Sequence, residues 1–408
     1  MQHDAMTTSA QRFFTGLLLL VLGIAVFVRG VGPGTDIFRS CLELDSGPRF
    51  ECFQELVNET ARTGNYAEAF TIVAHAYELD PDFAANCHAS AHEIGKIAYD
   101  RFRRGEASIF TSRASACGYG FYHSFMEKLF ADGRAAEEAQ DFCGYLGEEL
   151  SLETVDARGA CYHGIGHGTV DGTDPRLWGD PRALVREGIG MCEAVAGSLP
   201  DIPEGYGPLF RCVSGTYNAL EILSQNEKYN LEVLAEDPFG FCNDERHTYR
   251  RACYTNMIPA LLRLRLEDFR SVLSEIENIQ DITDVVRARL VGDLFHEFIR
   301  LHLGDGRDAG ASAIPLCKGM RDTLRIGCIE GLSGGYLKYG APKHEAEGML
   351  HFCALAELSE EESLACFRYG LTRLRNHYSP DEARAVCLRA PEEFRRFCER
   401  ESAHKSAP

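Results

Sequence analysis

The chain has 408 residues, enough for two or three domains, and 42 basic against 61 acidic side chains give it a net charge of −19. An acidic excess of this size repels phosphate backbones, so we expect no nucleic-acid partner. The sequence contains no P-loop, no Gly-x-Gly-x-x-Gly and no His-Glu-x-x-His, which excludes the enzyme classes that these motifs mark. Sixteen cysteines remain to be explained in a chain that is long enough to bury a core without them.

The first predicted element is an apolar segment near the N-terminus. Residues 13–28 carry no charge, and the segment extends to residue 32 with one arginine. At 1.5 Å per residue it is just long enough to cross a bilayer core. A cleaved signal peptide is the alternative, but no clear small-x-small cleavage site follows the segment. We therefore predict a short tail at 1–12 and a transmembrane signal anchor at 13–32, which makes the membrane a partner.

The cysteines predict the side of the membrane on which the body lies. None precedes the anchor, their number is even, and no Cys-x-x-Cys is present. Disulfides persist only in oxidising compartments, and a cytosolic zinc protein would be expected to show Cys-x-x-Cys spacing. We expect a single-pass protein of the plasma or inner membrane, with its body on the periplasmic or extracellular side.

Helical periodicity dominates the body, and strand signals are nearly absent. The clearest helical patterns cover Tyr66–Leu79, Ile258–Leu273, Val285–Leu303 and Leu364–Leu374. Residues 64–81, from Gly-Asn-Tyr-Ala-Glu-Ala to Asp-Pro, resemble the second helix of a tetratricopeptide repeat. No second copy follows, so the resemblance implies one helical hairpin and no repeat array. The predicted fold class is all-α.

Histidines are concentrated between residues 88 and 167, in three short modules. Each module places two potential metal ligands four residues apart, on one face of a helix. The pairs are His88 and His92, His123 and Glu127, and His163 and His167. Imidazole and carboxylate suit Cu, Fe, Zn or Mn, and oxidised thiols would not compete as ligands. Close helix packing, favoured by the neighbouring glycines, is the alternative role for these side chains.

The three modules together read Cys-His-x₃-His-x₂-Gly, Gly-x₂-His-x₃-Glu and Cys-x-His-Gly-x-Gly-His-Gly. This set, about 80 residues long, resembles a group of uncharacterised, membrane-anchored bacterial proteins with these Cys/His motifs. The resemblance implies membrane anchorage and supplies no activity. Covalent c-type haem is excluded because no Cys-x-x-Cys-His occurs.

The cysteines form near pairs along the chain, several of them with ten residues between. Two positions eleven apart on one straight helix are about 16 Å apart, too far for a disulfide, so the chain must reverse between them. Sequence alone does not fix connectivity. We expect sequential pairing, in which each disulfide staples one helical hairpin: Cys41 with Cys52, Cys87 with Cys117, Cys143 with Cys161, Cys192 with Cys212, Cys242 with Cys253, Cys317 with Cys328, Cys353 with Cys366 and Cys387 with Cys398.

These patterns predict disulfide-stapled helical hairpins in a solenoid-like row or an irregular bundle. Soft boundaries divide the body into a histidine-rich helical domain at 35–173, a cysteine-paired region at 174–303 and C-terminal hairpins at 304–408. The leading functional hypothesis is a histidine-based metal site for metal binding or for metal-dependent redox or hydrolytic chemistry. The alternatives are a non-catalytic scaffold that binds a protein partner and an enzyme acting on carbohydrate through paired carboxylates, although no spacing singles out two such residues.

Overall fold

The computed structural model describes residues 34–106, 108, 110–133, 136–150, 156–171, 175–199, 207–231, 234, 236–305 and 309–403. In these ranges the chain is helical and has no β-strand, which confirms the all-α class. The predicted membrane segment at 13–32 lies outside the described residues. Among the described helices, none is both long enough and apolar enough to span a bilayer.

The helices are short, and most are connected by brief turns. We number them in chain order: α1 Gly34–Leu42, α2 Ser46–Arg62, α3 Tyr66–Leu79, α4 Pro81–Ala85, α5 Cys87–Arg103, α6 Gly120–Ala131, α7 Ala136–Glu149, α8 Ala157–Asp171, α9 Pro181–Ala196, α10 Pro208–Leu223, α11 Pro238–Asn243, α12 His247–Leu264, α13 Phe269–Asn278, α14 Asp284–His302, α15 Ala309–Lys318, α16 Asp322–Tyr339, α17 Glu345–Cys353, α18 Glu360–Thr372, α19 Pro380–Cys387 and α20 Glu392–Ala403.

Local sequence explains where many of these helices begin. The side chain of Asn65 accepts a hydrogen bond from the backbone N–H of Glu68 at the start of α3, and Asp80 caps α4 in the same way ahead of Pro81. The predicted helix over Tyr66–Leu79 is therefore confirmed at both ends. Ser359 and Ser379 each form a capping box that begins a later helix.

One predicted helix is wrong. The pattern over Ile258–Leu273 is broken between α12 and α13, at residues 265–268. Leu266 and Glu267 have left-handed backbone angles, with φ of 51° and 61°, and Asp268 then caps the next helix through its carboxylate. The Asp268 side chain offers the backbone a local hydrogen-bonding alternative, and this ends the helical run. The apolar side chains keep their helical spacing on both sides of the turn, so the sequence pattern does not show the break.

All sixteen cysteines lie in eight pairs at disulfide distance, and each pair joins sequence neighbours, as predicted. Their Cα–Cα distances run from 5.4 to 5.6 Å. The two members of a pair lie on different helices or on a helix and a loop, so the expected chain reversal and the stapled hairpins are present. The observed pairs are Cys41 with Cys52, Cys87 with Cys117, Cys143 with Cys161, Cys192 with Cys212, Cys242 with Cys253, Cys317 with Cys328, Cys353 with Cys366 and Cys387 with Cys398.

The chain divides into two compact units, with the boundary between Leu56 and Val57. In the first unit, Cys41 pairs with Cys52 and Phe38 packs on Phe53 with ring centroids 4.9 Å apart. In the second unit, α5, α6, α8, α10, α12, α14, α16 and α18 pack one on the next in chain order.

Contacts also connect the two ends of the second unit. The Tyr77 hydroxyl on α3 donates to the carbonyl of Tyr339, at 3.2 Å, and Arg113 pairs with Glu382, at 3.1 Å. The row of hairpins therefore returns to its own beginning, which a linear solenoid would not do.

Candidate metal centre

Three helices of this row carry the six predicted ligands. Helix α5 carries His88 and His92, α6 carries His123 and Glu127, and α8 carries His163 and His167. The helices approach closely because glycines lie at their crossings. A Cβ on Gly95 would lie 2.2 Å from the carbonyl oxygen of Phe121, and one on Gly164 would lie 2.6 Å from that of Tyr122. The glycines that flank the histidines thus admit a neighbouring backbone.

The structure brings His88, His92 and His123 together. Their nearest ring nitrogens all lie within 4.8 Å of one another, and the Nε2 atoms of His88 and His92 are 3.0 Å apart. The His123 ring centroid is 5.3 Å from that of His88 and 5.6 Å from that of His92. Three imidazoles from two helices therefore converge on one point, as transition-metal ligands do.

The opposite nitrogens of His88 and His92 face oxygen atoms. Nδ1 of His88 donates to the carbonyl oxygen of Cys117 at 2.7 Å, and Nδ1 of His92 lies 3.8 Å from a carboxylate oxygen of Glu127. Metal-binding histidines typically have such partners, which fix the tautomer and the ring orientation. The hydrogen bond to Cys117 thus fixes the His88 ring with Nε2 toward the common point, whereas Glu127 lies near His92 but beyond hydrogen-bond distance.

The proton positions on these two rings decide what faces what at the 3.0 Å contact between their Nε2 atoms. A carbonyl oxygen only accepts, so the proton of a neutral His88 lies on Nδ1 and its Nε2 is an acceptor. If Nδ1 of His92 likewise directs its proton toward Glu127, its Nε2 is also an acceptor, 3.0 Å away. In the other neutral tautomer His92 carries its proton on Nε2 and donates it to Nε2 of His88. A cation between the two nitrogens would take the place of that proton.

His123 supplies the third nitrogen from a buried position. Its exposed fraction is 2%, and within the described part of the chain neither of its ring nitrogens has a hydrogen-bond partner. Buried polar atoms are rarely left without a partner, so this side chain points to a ligand. Burial lowers the pKa of His123 well below its ordinary value, and the neighbouring histidines add to the effect. The ring thus stays neutral, as a metal ligand must.

His163 and His167 adjoin the three histidines. His167 is buried and stacks on His123 with ring centroids 4.1 Å apart, and its Nδ1 lies 3.6 Å from Glu127. The His163 ring is 5.2 Å from that of His123, and burial lowers its pKa well below the ordinary value. All six predicted residues therefore form one cluster, while only His88, His92 and His123 form a set of three close donors within the described residues.

The sequence places Tyr119 beside the histidines but does not connect it with the other polar groups that surround this cluster. The hydroxyl of Tyr119 donates to Asp156 at 2.8 Å, and Arg211 forms an ion pair with the same carboxylate. After burial and His167, the Arg211 charge is the next cause that lowers the pKa of His163. No spacing pattern connects these three residues, because they lie on separate segments that only the fold joins. The carbonyl of Cys117 has no side-chain signature at all.

A second polar group involves α14, where the sequence pattern indicates no ligands. Thr255 donates to Asp293 at 2.7 Å, and Nδ1 of His296 lies 3.8 Å from the same carboxylate. His296 packs against Gly334, where a Cβ would lie 2.4 Å from its Nε2, and burial lowers its pKa to about 3. Nε2 of His296 is also buried without a hydrogen-bond partner, but among the described residues it does not belong to a set of three close donors.

Comparison of the chain with protein-family models, curated proteins and solved structures finds no match. The site must therefore be interpreted from its own geometry.

Proposed function

We propose that the protein binds one transition-metal ion through Nε2 of His88, Nε2 of His92 and a ring nitrogen of His123. The observation that carries the proposal is the pair of Nε2 atoms 3.0 Å apart on rings whose Nδ1 atoms face Cys117 and Glu127. The buried, unpartnered ring of His123 adds the third donor. Three neutral imidazoles suit Zn, Cu or Fe, and Mn with weaker preference.

Three protein ligands leave a coordination position open for water or substrate. Such sites are typical of catalytic metals, whereas structural zinc sites are closed by four protein ligands. A metal ion here would act as a Lewis acid, activate water, or exchange electrons if it is redox-active. Glu127 and His167 lie beside the three ligands and would orient His92 or handle protons. We therefore infer metal binding with redox or hydrolytic chemistry.

Metal analysis of the purified full-length chain tests this proposal. After expression with Zn, Cu, Fe and Mn supplied, we expect about one ion per chain, and none in His92→Ala or His123→Ala. His75→Ala is the matched control, because His75 is exposed on α3 and outside the three modules. Absence of stoichiometric metal in the wild type would reject the metal site and leave the scaffold hypothesis, in which the hairpins bind a protein partner.

We also propose that residues 13–32 anchor the chain in the plasma or inner membrane, with the body in an oxidising compartment. Eight cysteine pairs at disulfide distance support that compartment. Protease added to intact spheroplasts should digest the body, while a cytoplasmic control protein survives. Protection of the body would place it on the cytoplasmic side and contradict the proposal.

A further inference from the structure

One disulfide is built into the candidate metal site. Cys87 immediately precedes His88 on α5, and the carbonyl of its partner Cys117 accepts the hydrogen bond from Nδ1 of His88. Both half-cystines therefore adjoin the same metal ligand, one through the chain and the other through a hydrogen bond. Of the eight pairs, this one spans the longest separation in sequence, 30 residues, and so closes the longest loop.

The backbone after Cys117 adopts a conformation that needs support. Cys117, Gly118 and Tyr119 have consecutive left-handed φ angles of 54°, 68° and 67°. Residues with side chains rarely adopt this region, and such strained positions persist only when their surroundings hold them. Gly118 lies against His88, since a Cβ there would be 3.3 Å from Nδ1. Helix α6, which carries His123, begins directly afterwards at Gly120.

This disulfide also differs from the others of its unit in accessibility. In the other six pairs between Val57 and Pro408, both cysteines are fully buried, with an exposed fraction of 0%. Cys87 is 4% exposed and Cys117 is half-buried. A reductant would therefore reach this pair before its neighbours, because thiol–disulfide exchange needs access to a sulfur atom.

We propose that the disulfide between Cys87 and Cys117 is a redox-sensitive clamp on the metal site, an inference that rests on the proposed metal binding. A dithiol supplies two electrons and two protons: the bond between the two sulfur atoms breaks, two thiols form, and the dithiol closes to its own disulfide. The left-handed turn then relaxes and the Cys117 carbonyl leaves His88, so metal affinity falls. Linkage makes the effect reciprocal, and bound metal opposes reduction of this disulfide by the same factor.

The first test compares zinc affinities of full-length variants by competition with a chromophoric chelator. Losing an outer partner of a metal-binding histidine typically costs about 10–100-fold in affinity. We expect a loss of that size in the double variant Cys87→Ser with Cys117→Ser. Two matched double variants, Cys41→Ser with Cys52→Ser and Cys387→Ser with Cys398→Ser, remove disulfides that do not adjoin a histidine of the cluster, and they should bind like the wild type.

Gly118→Ala covers the case in which the serine variant at Cys87 and Cys117 fails to fold. It retains both cysteines but strains the turn against His88, so we expect weaker zinc binding with the disulfide intact. Unchanged affinity in both variants, or tighter binding in the serine variant, would overturn the clamp. A wild type that binds no zinc would instead reject the metal site itself, so the two failures are distinguishable.

A second test needs no variant. The wild type, with and without bound zinc, is exposed briefly to a dithiol too dilute to remove the metal, and freed thiols are alkylated and mapped by mass spectrometry. Within the second unit, Cys87 and Cys117 should be labelled first, and zinc should suppress that labelling. Equal labelling with and without zinc would contradict the coupling.

Discussion

At the residue scale, the proposed metal site depends on how His88 and His92 are oriented. The spacing of four residues predicts that they share a helix face, and it does so correctly because helix geometry fixes that relation. Spacing could not predict what holds the opposite ring nitrogens. The carbonyl of Cys117 belongs to the backbone, and the carboxylate of Glu127 reaches His92 only because Gly95 lets α5 and α6 pack closely.

Glu127→Gln tests the role of that carboxylate. The amide has the same shape but lacks the charge that favours a proton on Nδ1 of His92, so metal affinity should fall by about 10–100-fold. Competition titration measures the change. Glu93→Gln is the matched control, because Glu93 lies next to His92 on α5 but pairs with Lys96 at the surface. Equal affinities for the two variants would show that Glu127 does not orient His92.

Two largely buried histidines outside the cluster predict how stability depends on pH. Burial lowers the pKa of His296 to about 3 and that of His377 to about 4, against about 6.5 in an unfolded chain. Below pH 6.5 the unfolded state binds protons that the folded state does not, so the free energy of unfolding falls as the pH decreases. Between pH 7 and 5 each histidine should contribute a loss of about 2 kcal/mol.

Urea unfolding at pH 7 and pH 5 measures this dependence. The free energy of unfolding should be lower at pH 5 than at pH 7. His377→Gln removes one of the two groups, so the two histidines' combined contribution to this difference should fall by about half. A loss of stability that is equal at both pH values in the variant cancels from this difference in the free energy of unfolding. A variant with the same pH dependence as the wild type would show that His377 titrates normally in the folded protein.

At the element scale, most helices follow from sequence, and the crossings between them do not. Helical periodicity and capping residues account for α3, α14 and α18, whose bounds differ from the predicted ones by only a few residues. The break at Leu266 and Glu267 could not be predicted, because the pattern of apolar residues does not show which residues with side chains adopt positive φ angles. The sequence shows which helices contain glycine. It does not show which neighbouring helix packs against each glycine, because that depends on the tertiary structure.

The crossing of α8 and α10 gives a direct test of this packing. A Cβ on Gly166 would lie 1.8 Å from the carbonyl oxygen of Cys212, so the backbones must separate to admit it. Overpacking of this kind costs about 1–3 kcal/mol, and we expect at least that destabilisation in Gly166→Ala. Gly190→Ala on α9, where nothing lies within 4 Å, should instead be neutral or stabilising by about 0.5–1 kcal/mol.

Urea unfolding of the two variants distinguishes these outcomes. Because both substitutions add one methyl group within a helix, intrinsic helix propensity favours both equally. A difference in sign therefore reports the contact at the crossing. Similar stabilities would mean that α8 and α10 are not in backbone contact.

At the scale of the whole molecule, the cysteines have the clearest consequence. The rise per residue of a helix keeps two cysteines eleven positions apart too distant for a disulfide, so the chain must reverse between them if they pair. Sequential pairing is the simplest arrangement that satisfies this requirement. The cysteine pattern does not predict that the row of hairpins returns to its beginning through Tyr77 and Tyr339. That contact joins residues 262 apart in sequence, and no local signal encodes such a separation.

Peptide mapping without reduction tests the pairing. Digestion of the oxidised chain should release eight cross-linked peptide pairs, each joining neighbouring cysteines such as Cys143 and Cys161, because the structure places all sixteen in such pairs. Alkylation before digestion should label no cysteine. Cross-links between distant cysteines, such as one from Cys87 to Cys192, would contradict the stapled hairpins.

X-ray absorption spectroscopy of the zinc-loaded, oxidised chain tests the three-histidine metal site, because it counts the atoms bound to the metal. We expect three imidazole nitrogens at about 2.0–2.1 Å together with oxygen from water or a carboxylate, and no sulfur. His123→Ala should lose one imidazole or the metal altogether. A sulfur ligand at about 2.3 Å, or zinc bound without imidazole, would contradict the assignment of His88, His92 and His123 as the metal site.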